Sequence, residues 1–275
     1  MKPKHIMSYF KFFSLASLAS VAYFAVAALF TGCYSVPYTG RHHMLLISQS
    51  EELQMGRDAY AQVLKESKLS DDPGQTRMVK RIGEKLAKIS NAPPEFEWEF
   101  NLIQDDKQVN AFCLPGGKVA VYTALLPVSK DETGLSVVMG HEIAHALARH
   151  GSERMSQNMV AGIGGKLLGA VLATKSPAVQ DAFGKAYGVG VGVGFMLPFS
   201  RAHESEADHI GLLLMAKAGY DPHSAVDFWG RMSAATKAPD SPLAKYMSTH
   251  PNHGTRIKDI ENWIPEAMGS YQSGQ

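Results

Sequence analysis

The sequence predicts a predominantly helical α+β domain with a small β-sheet beside one central, histidine-bearing helix. Three observations carry this. Apolar residues recur at helical spacing through several segments, and strand-like patterns are confined to residues 96–122. The run His141-Glu142-Ile143-Ala144-His145 follows a capping pattern that starts a helix. With 45% hydrophobic and 19% charged residues, the 275-residue chain has the make-up of a packed globular protein rather than a disordered one.

The first segment stands apart from that domain. Lys2, Lys4 and Lys11 lead into a 19-residue apolar run, Phe12 to Phe30, followed by Thr31-Gly32-Cys33. A basic start, an apolar middle and small residues before a cut describe a secretory signal. The cysteine after the small pair resembles a bacterial lipoprotein signal, so residues 1–32 are expected to be removed and Cys33 to be lipidated. Phe30 departs from that pattern, which usually has Leu there. The run is also long enough to span a bilayer uncleaved, and a soluble secreted product is the third alternative. Without the segment, 24 basic residues face 26 acidic ones, and this near-neutral balance argues against nucleic acid as a partner. If Cys33 carries lipid, Cys113 has no partner, and no disulfide framework is expected.

Residues 33–47, broken by Pro37 and Gly40, read as a membrane tether. The main domain is expected over 48–265, with a tail over 266–275. Ser48 and Glu51 form a capping-box pattern before Leu53, Tyr60, Val63 and Leu64. A second helix carries Met78, Val79, Ile82, Leu86 and Ile89 and stops before Pro93-Pro94. Phe96, Trp98 and Phe100 alternate with Glu97, Glu99 and Asn101 as in a half-buried strand. Residues 109–113 and 118–122 then flank a turn, Leu114-Pro115-Gly116-Gly117. This is either simply a hairpin or also an edge strand on which an extended peptide could pair. Ser129 and Glu132 form the capping pattern of the central helix, which Gly151-Ser152 is expected to end.

From Met159 to Pro198 the chain is rich in Gly and Ala. Lys166 and Lys175 argue against a membrane span there. The glycines lack the strand and acidic residue of a dinucleotide fingerprint, and Leu167 after Gly165-Lys166 rules against a phosphate loop. A hairpin covering the site is the preferred reading.

His141 and His145 leave one face of a helix a turn apart, so two nitrogens can meet one metal ion. Glu142 sits where its carboxylate can reach water at that metal. Zinc takes such a pair with a third protein ligand and keeps a fourth position open. The segment Ser200-Arg201-Ala202-His203-Glu204-Ser205-Glu206-Ala207-Asp208 opens an amphipathic helix whose polar face carries Glu204 and Asp208. Glu204 can complete the zinc shell, and Asp208 can accept from the far nitrogen of a histidine ligand. Glu206 reads as exposed. A metzincin pattern fails on spacing, since Ala148 and Gly151 occupy the places of its glycine and third histidine and leave His150 off register. No Gly-x-Ser-x-Gly elbow is present. His42, His43, His223 and His253 receive no role, and Trp98, Phe228 and Trp229 read as core.

These two motifs, with Glu204 placed 59 residues after His145, resemble the gluzincin family of the CAAX prenyl protease, HtpX and the mitochondrial Oma-type proteases. Asn110-Ala111-Phe112 through Gly116-Gly117 resembles the family's segment before the metal helix. Ala218-Gly219-Tyr220-Asp221-Pro222 and Ser248-Thr249-His250-Pro251 with Arg256 resemble its C-terminal signatures. The signal and Val36-Pro37-Tyr38-Thr39-Gly40-Arg41 resemble the bacterial outer-membrane lipoprotein branch, the LoiP-like proteins. The resemblance implies a zincin-like fold holding one zinc ion on His141, His145 and Glu204, with Glu204 rather than Glu206 as third ligand. Glu142 would be the general base. His250, with Arg256 behind it, would be an oxyanion donor, an occluding ligand, a substrate contact or a satisfied loop histidine. Asn110, Gly116 and Gly117 would lie near the substrate. The implied activity is endopeptidase cleavage of misfolded or misassembled envelope proteins on the periplasmic side. Membrane attachment would run through the N-terminal lipid, and other envelope proteases or chaperones are further expected partners. The rival reading is a membrane-tethered chaperone or binding protein that keeps the zinc site. An integral-membrane CAAX-type protease needs several spans, and the chain has one candidate.

Overall fold

The computed structural model describes residues 33–163, 200–235, 243–251 and 254–272. The signal-like segment and most of the glycine-rich stretch lie outside the described residues, and with them the reading of a covering hairpin. Among the described residues no helix is long and apolar enough to cross a membrane.

The segment read as a tether is folded. Strands β1 (Cys33–Ser35) and β2 (His42–Met44) pair antiparallel, with Gly40 and Tyr38 turning the chain at φ of 68° and 73°. This hairpin packs onto the body: Val36 is buried, and the Tyr34 hydroxyl donates to the Leu147 carbonyl at 3.1 Å. The Tyr38 hydroxyl lies 3.2 and 3.1 Å from the carbonyls of Ile89 and Ser90. Tyr34 and Tyr38 provide apolar bodies with polar tips that satisfy carbonyls at helix ends, a contact that composition alone does not announce.

Helix α1 (Gln49–Glu66) starts at the expected capping box of Ser48 and Glu51. Helix α2 (Pro73–Ile89) is capped by Asp72, which accepts from the N–H groups of Gly74 and Gln75. Proline fills its first turn, where no N–H is needed. Its Val79, Ile82 and Leu86 are fully buried. Strand β3 (Glu99–Ile103) begins later than the alternation suggested. The N–H groups of Glu97 and Glu99 bond to the carbonyls of Gly116 and Gly117. Trp98 therefore stacks on Phe100, at 5.9 Å and 8°. The expected hairpin forms from β4 (Ala111–Leu114) and β5 (Lys118–Tyr122), with Gly116 and Gly117 at φ of 85° and 79°, where a side chain would be strained. β3 pairs parallel with β5, so the order β3-β5-β4 leaves β4 as the outer strand on the hairpin side.

A short helix α3 (Leu126–Ser129) precedes the central helix α4 (Glu132–Leu147). The cap of α4 is Asp131, accepting from the Gly134 N–H at 2.8 Å, and not Ser129, which closes α3. Lys130, at φ 69°, turns the chain between them. α4 also ends before Gly151-Ser152. Arg149 adopts φ 54°, the left-handed conformation usual at a helix end, and α5 (His150–Ile163) starts at once. Glu52 accepts from Nε of Arg149 at 2.6 Å and holds a non-glycine residue in that conformation. From Gly134 to Leu147 every residue of α4 is buried. Side chains such as Leu135, Met139, Ile143 and Leu147 contribute roughly 1.5–3 kcal/mol each by leaving water.

The remaining helices are α6 (Arg201–Lys217), α7 (Ser224–Ala235), α8 (Ala244–Thr249) and α9 (Arg256–Gln272). α6, capped by Ser200, is buried on its polar and apolar faces alike, since it crosses α4 on one side and packs against α9 on the other. At the crossing two glycines meet. A Cβ on Gly211 would lie 2.8 Å from the backbone nitrogen of His141, and one on Gly140 2.9 Å from the Gly211 carbonyl oxygen.

Gly211→Ala is expected to push α6 from α4, lowering stability by about 1–3 kcal/mol and weakening zinc binding. Gly230→Ala, at a helical glycine with nothing within 4 Å of the new Cβ, should be neutral or stabilising by up to about 1 kcal/mol. Urea denaturation of both variants checks this; equal stability of Gly211→Ala and the parent would refute the close-contact argument.

Candidate metal centre

The crossing at Gly140 and Gly211 sets His141 and His145 of α4 against Glu204 in the first turn of α6. The two Nε2 atoms are 3.1 Å apart, and Glu204 lies 3.4 Å from that of His145 and 3.6 Å from that of His141. A fourth donor comes from the end of α8: His250 Nδ1 is 3.1 Å from Glu204 Oε1 and 3.3 Å from His141 Nε2. All four residues are buried, and their donor atoms lie within 4.8 Å of one another. Donors around a tetrahedral zinc with bonds of ~2.0–2.1 Å stand about 3.3 Å apart. The separations suit one such ion.

The charged groups behind the donors prepare them for a cation. Asp208 Oδ1 lies 2.9 Å from His141 Nδ1, as the spacing on α6 suggested. A carboxylate only accepts, so His141 carries its proton on Nδ1 and turns a bare lone pair to the centre. Burial disfavours charge on that ring, but the Asp208 carboxylate outweighs it and holds His141 above its ordinary pKa. With no proton between them, the two Nε2 atoms 3.1 Å apart turn their lone pairs to one point, where a single metal ion can accept both.

Arg256 is fully buried and meets His250 at a shared carboxylate, Glu204. Its Nε donates to Asp208 at 2.7 Å and its Nη2 to Glu204 at 2.6 Å, while its guanidinium lies 4.0 Å from the centre of the Trp229 ring. Glu204 sits well below the ordinary carboxylate range: burial opposes its charge, but His250, His145 and His141 favour it more. Trp229 is core, as read, and it is also the aromatic face on which this cation rests.

Glu142 points into the same chamber. The Tyr246 hydroxyl donates to its Oε1 at 2.9 Å, and His250 Nε2 is 3.8 Å from that oxygen. Burial raises the Glu142 carboxyl above its ordinary value, against the pull of His250 and His141. Burial and the neighbouring Glu142 raise the Tyr246 phenol well above its own, so it remains a donor. Sequence reasoning missed Tyr246. One signal was present: it stands four residues before His250, on the same face of α8, and their rings stack at 4.5 Å.

Two readings change around His145. Glu206 is buried rather than exposed, accepting from Thr39 Oγ1 at 2.5 Å and from Arg41 Nε at 2.7 Å. His150 is outside the donor group, as its register required, yet it is fully buried between Glu206 and His145. His43, given no role, is buried and bonded to Glu153. Asn110, Gly116 and Gly117, expected near the substrate, belong to the sheet beside α4. The Asn110 carbonyl accepts from the Tyr122 N–H, and the carbonyls of the two turn glycines accept from the N–H groups of Glu97 and Glu99.

Arg256→Met is expected to destabilise the protein by about 3–5 kcal/mol, because it leaves two buried carboxylates without their cation. Zinc should recover part of that loss, visible as a larger zinc-dependent rise in melting temperature than in the parent. Glu204→Ala should lose stoichiometric zinc, read by metal analysis after gel filtration.

Residues 73–264 match peptidase family M48. The chain is 37% identical over 242 residues to the mitochondrial metalloendopeptidase OMA1 of Schizosaccharomyces pombe, covering 87% of this chain and 68% of that protein. It is 30% identical over 276 residues to the OMA1 of Saccharomyces cerevisiae, covering 90% of this chain and 76% of the relative. It is 31% identical over 236 residues to the beta-barrel assembly-enhancing protease of Escherichia coli K12, covering 83% of this chain and 47% of the relative. Sequence likeness and donor geometry agree: the chain belongs to peptidase family M48 and is a zinc metalloendopeptidase.

Proposed function

We propose that this protease works at the bacterial cell envelope on misfolded or misassembled envelope proteins, with His141, His145 and Glu204 holding zinc and Glu142 as general base. The observation that carries the catalytic part is the place of Glu142, buried beside the donor group and bonded by Tyr246 at 2.9 Å. A carboxyl whose pKa is raised towards the working pH accepts a proton more readily. Zinc, when bound, supplies Lewis acidity towards the scissile carbonyl and acidifies the attacking water. Glu142 takes the proton from that water and passes it to the leaving amine. Tyr246 keeps the carboxylate aimed at the donors while the chamber is at rest.

His250 Nδ1, 3.1 Å from Glu204 Oε1 and 3.3 Å from His141 Nε2, supports the occluding reading, in which the ring swings away before water and substrate enter. In the oxyanion reading the displaced ring would offer its N–H to the developing charge. β4, the outer strand of the sheet beside α4, offers an extended peptide a backbone to pair with.

The lysine-led apolar run before Thr31-Gly32-Cys33 supports the envelope setting, as does the similarity to an Escherichia coli protease named for β-barrel assembly; the other named relatives are mitochondrial. In this reading residues 1–32 are removed and Cys33 is lipidated on the periplasmic side, with an uncleaved anchor as the alternative.

Glu142→Gln should keep zinc and lose casein cleavage by at least about 10²-fold; retained cleavage would end the general-base assignment. The same variant, crosslinked in the envelope, should retain its clients, and capture of none but cytoplasmic chains would overturn the envelope reading. His250→Ala should raise turnover if occlusion dominates, or lower it about 10²-fold if the oxyanion contact dominates. Unchanged turnover would remove both roles.

A further inference from the structure

A buried polar chain runs from the N-terminal hairpin to the metal centre. His150 Nε2 lies 2.9 Å from Glu206 Oε2, and His150 Nδ1 lies 2.9 Å from His145 Nδ1. Glu206 accepts from Arg41 Nε at 2.7 Å on the same Oε2 and from Thr39 Oγ1 at 2.5 Å on Oε1. With both oxygens already accepting, the carboxylate is the acceptor for His150, which donates from Nε2. Its Nδ1 is then an acceptor, and His145 must donate from Nδ1. That leaves the Nε2 lone pair of His145 turned towards Glu204 and His141. The tautomer of this histidine is thus set through His150 by Glu206.

The far end of the chain is the hairpin β1–β2. Arg41 spans Glu206 and Glu153, with Nε at 2.7 Å from the first and Nη1 and Nη2 at 3.0 and 2.7 Å from the second. Glu153 also bonds His43 of β2 and His203, the latter at 3.2 Å, and the His203 ring stacks on His150 at 4.5 Å. The cluster has histidines and carboxylates in number, but the Arg41 guanidinium fills its middle with positive charge. Among the described residues the only grouping of donors suited to a metal is the one at His141.

We propose that Glu206 and His150 are positioning residues for His145, and that the hairpin just after Cys33 anchors them through Arg41 and Thr39. Hairpin docking and zinc binding then reinforce one another. The proposal rests on His145 being a zinc donor. Deleting outer hydrogen-bond partners of metal-bound histidines typically weakens metal binding about 10–100-fold. By linkage, zinc must tighten the hairpin by the factor with which the docked hairpin tightens zinc.

The full chain with zinc is the material for the test, with zinc affinity read by competition against a chromophoric chelator. Glu206→Ala and His150→Leu should raise the zinc dissociation constant about 10–100-fold. Glu206→Gln, whose amide oxygen can still accept from His150, should recover most of that loss. Cobalt in place of zinc should show a changed visible spectrum in Glu206→Ala and a parent-like one in Glu206→Gln. Zinc should slow hydrogen exchange at residues 34–44 in the parent and have less effect in Arg41→Ala. If Glu206→Ala and His150→Leu bind zinc as the parent does, or zinc leaves hairpin exchange unchanged, the proposal is overturned. His145→Ala separates the two levels, since parent-like zinc affinity there would sink the donor assignment itself.

Discussion

Two backbones touch where α4 crosses α6, and the centre depends on that contact. With hydrogen in place of a side chain at Gly140 and Gly211, the helices approach until an added Cβ would sit 2.8 Å from the His141 nitrogen. A single methyl group there would move Glu204 away from the histidine pair. Ordinary helix pairs are held 8–10 Å apart by their side chains. Here closeness is needed, because donor atoms must converge to about 3.3 Å while their side chains stay short.

The second constraint is charge. Glu204, Asp208 and Glu142 are all buried, and isolated carboxylates in such surroundings are strongly disfavoured. Arg256 donates to the first two from behind, resting on Trp229, and offsets one of their two charges; a zinc ion bound in front would answer the remaining demand. Around His145 a separate set does the same work: Arg41 sits between Glu153 and Glu206. The two networks use residues far apart in the chain, Arg41 of the hairpin segment and Arg256 at the start of α9.

Much of this was legible in the residues. The histidine pair, the cap of α1, the stripe of α2 and the β4–β5 hairpin were read at their observed places, since each follows from local periodicity or local turn chemistry. The misreadings share a cause. Ser129 and Asp131 both match an N-cap pattern, and Lys130, a non-glycine residue with positive φ, decides between them. α4 ends at a left-handed arginine, where sequence rules look for glycine, because Glu52 of a distant helix holds it. Residues 33–47 look like a tether because Pro37 and Gly40 interrupt any regular pattern. They fold because two tyrosines and one arginine find partners more than 50 residues away.

The sequence by itself determined that two imidazoles share a helix face and that Glu142 stands beside them, because a helical repeat of 3.6 residues makes spacing equivalent to direction. It also determined that Glu204 and Asp208 share a face of the later helix, four residues apart. Which face of that helix turns towards the histidines was decided only in three dimensions. Glu204 and Glu206 point about 200° apart around α6, and local pattern serves either orientation. Contact at Gly211 sets the rotation of α6 about its axis, placing Glu204 among the donors and sending Glu206 to Arg41 and His150. Tertiary packing also chose Tyr246 for Glu142 and Arg256 for Asp208, since a partner for a buried charge is selected by reach and no spacing rule spans more than 40 residues.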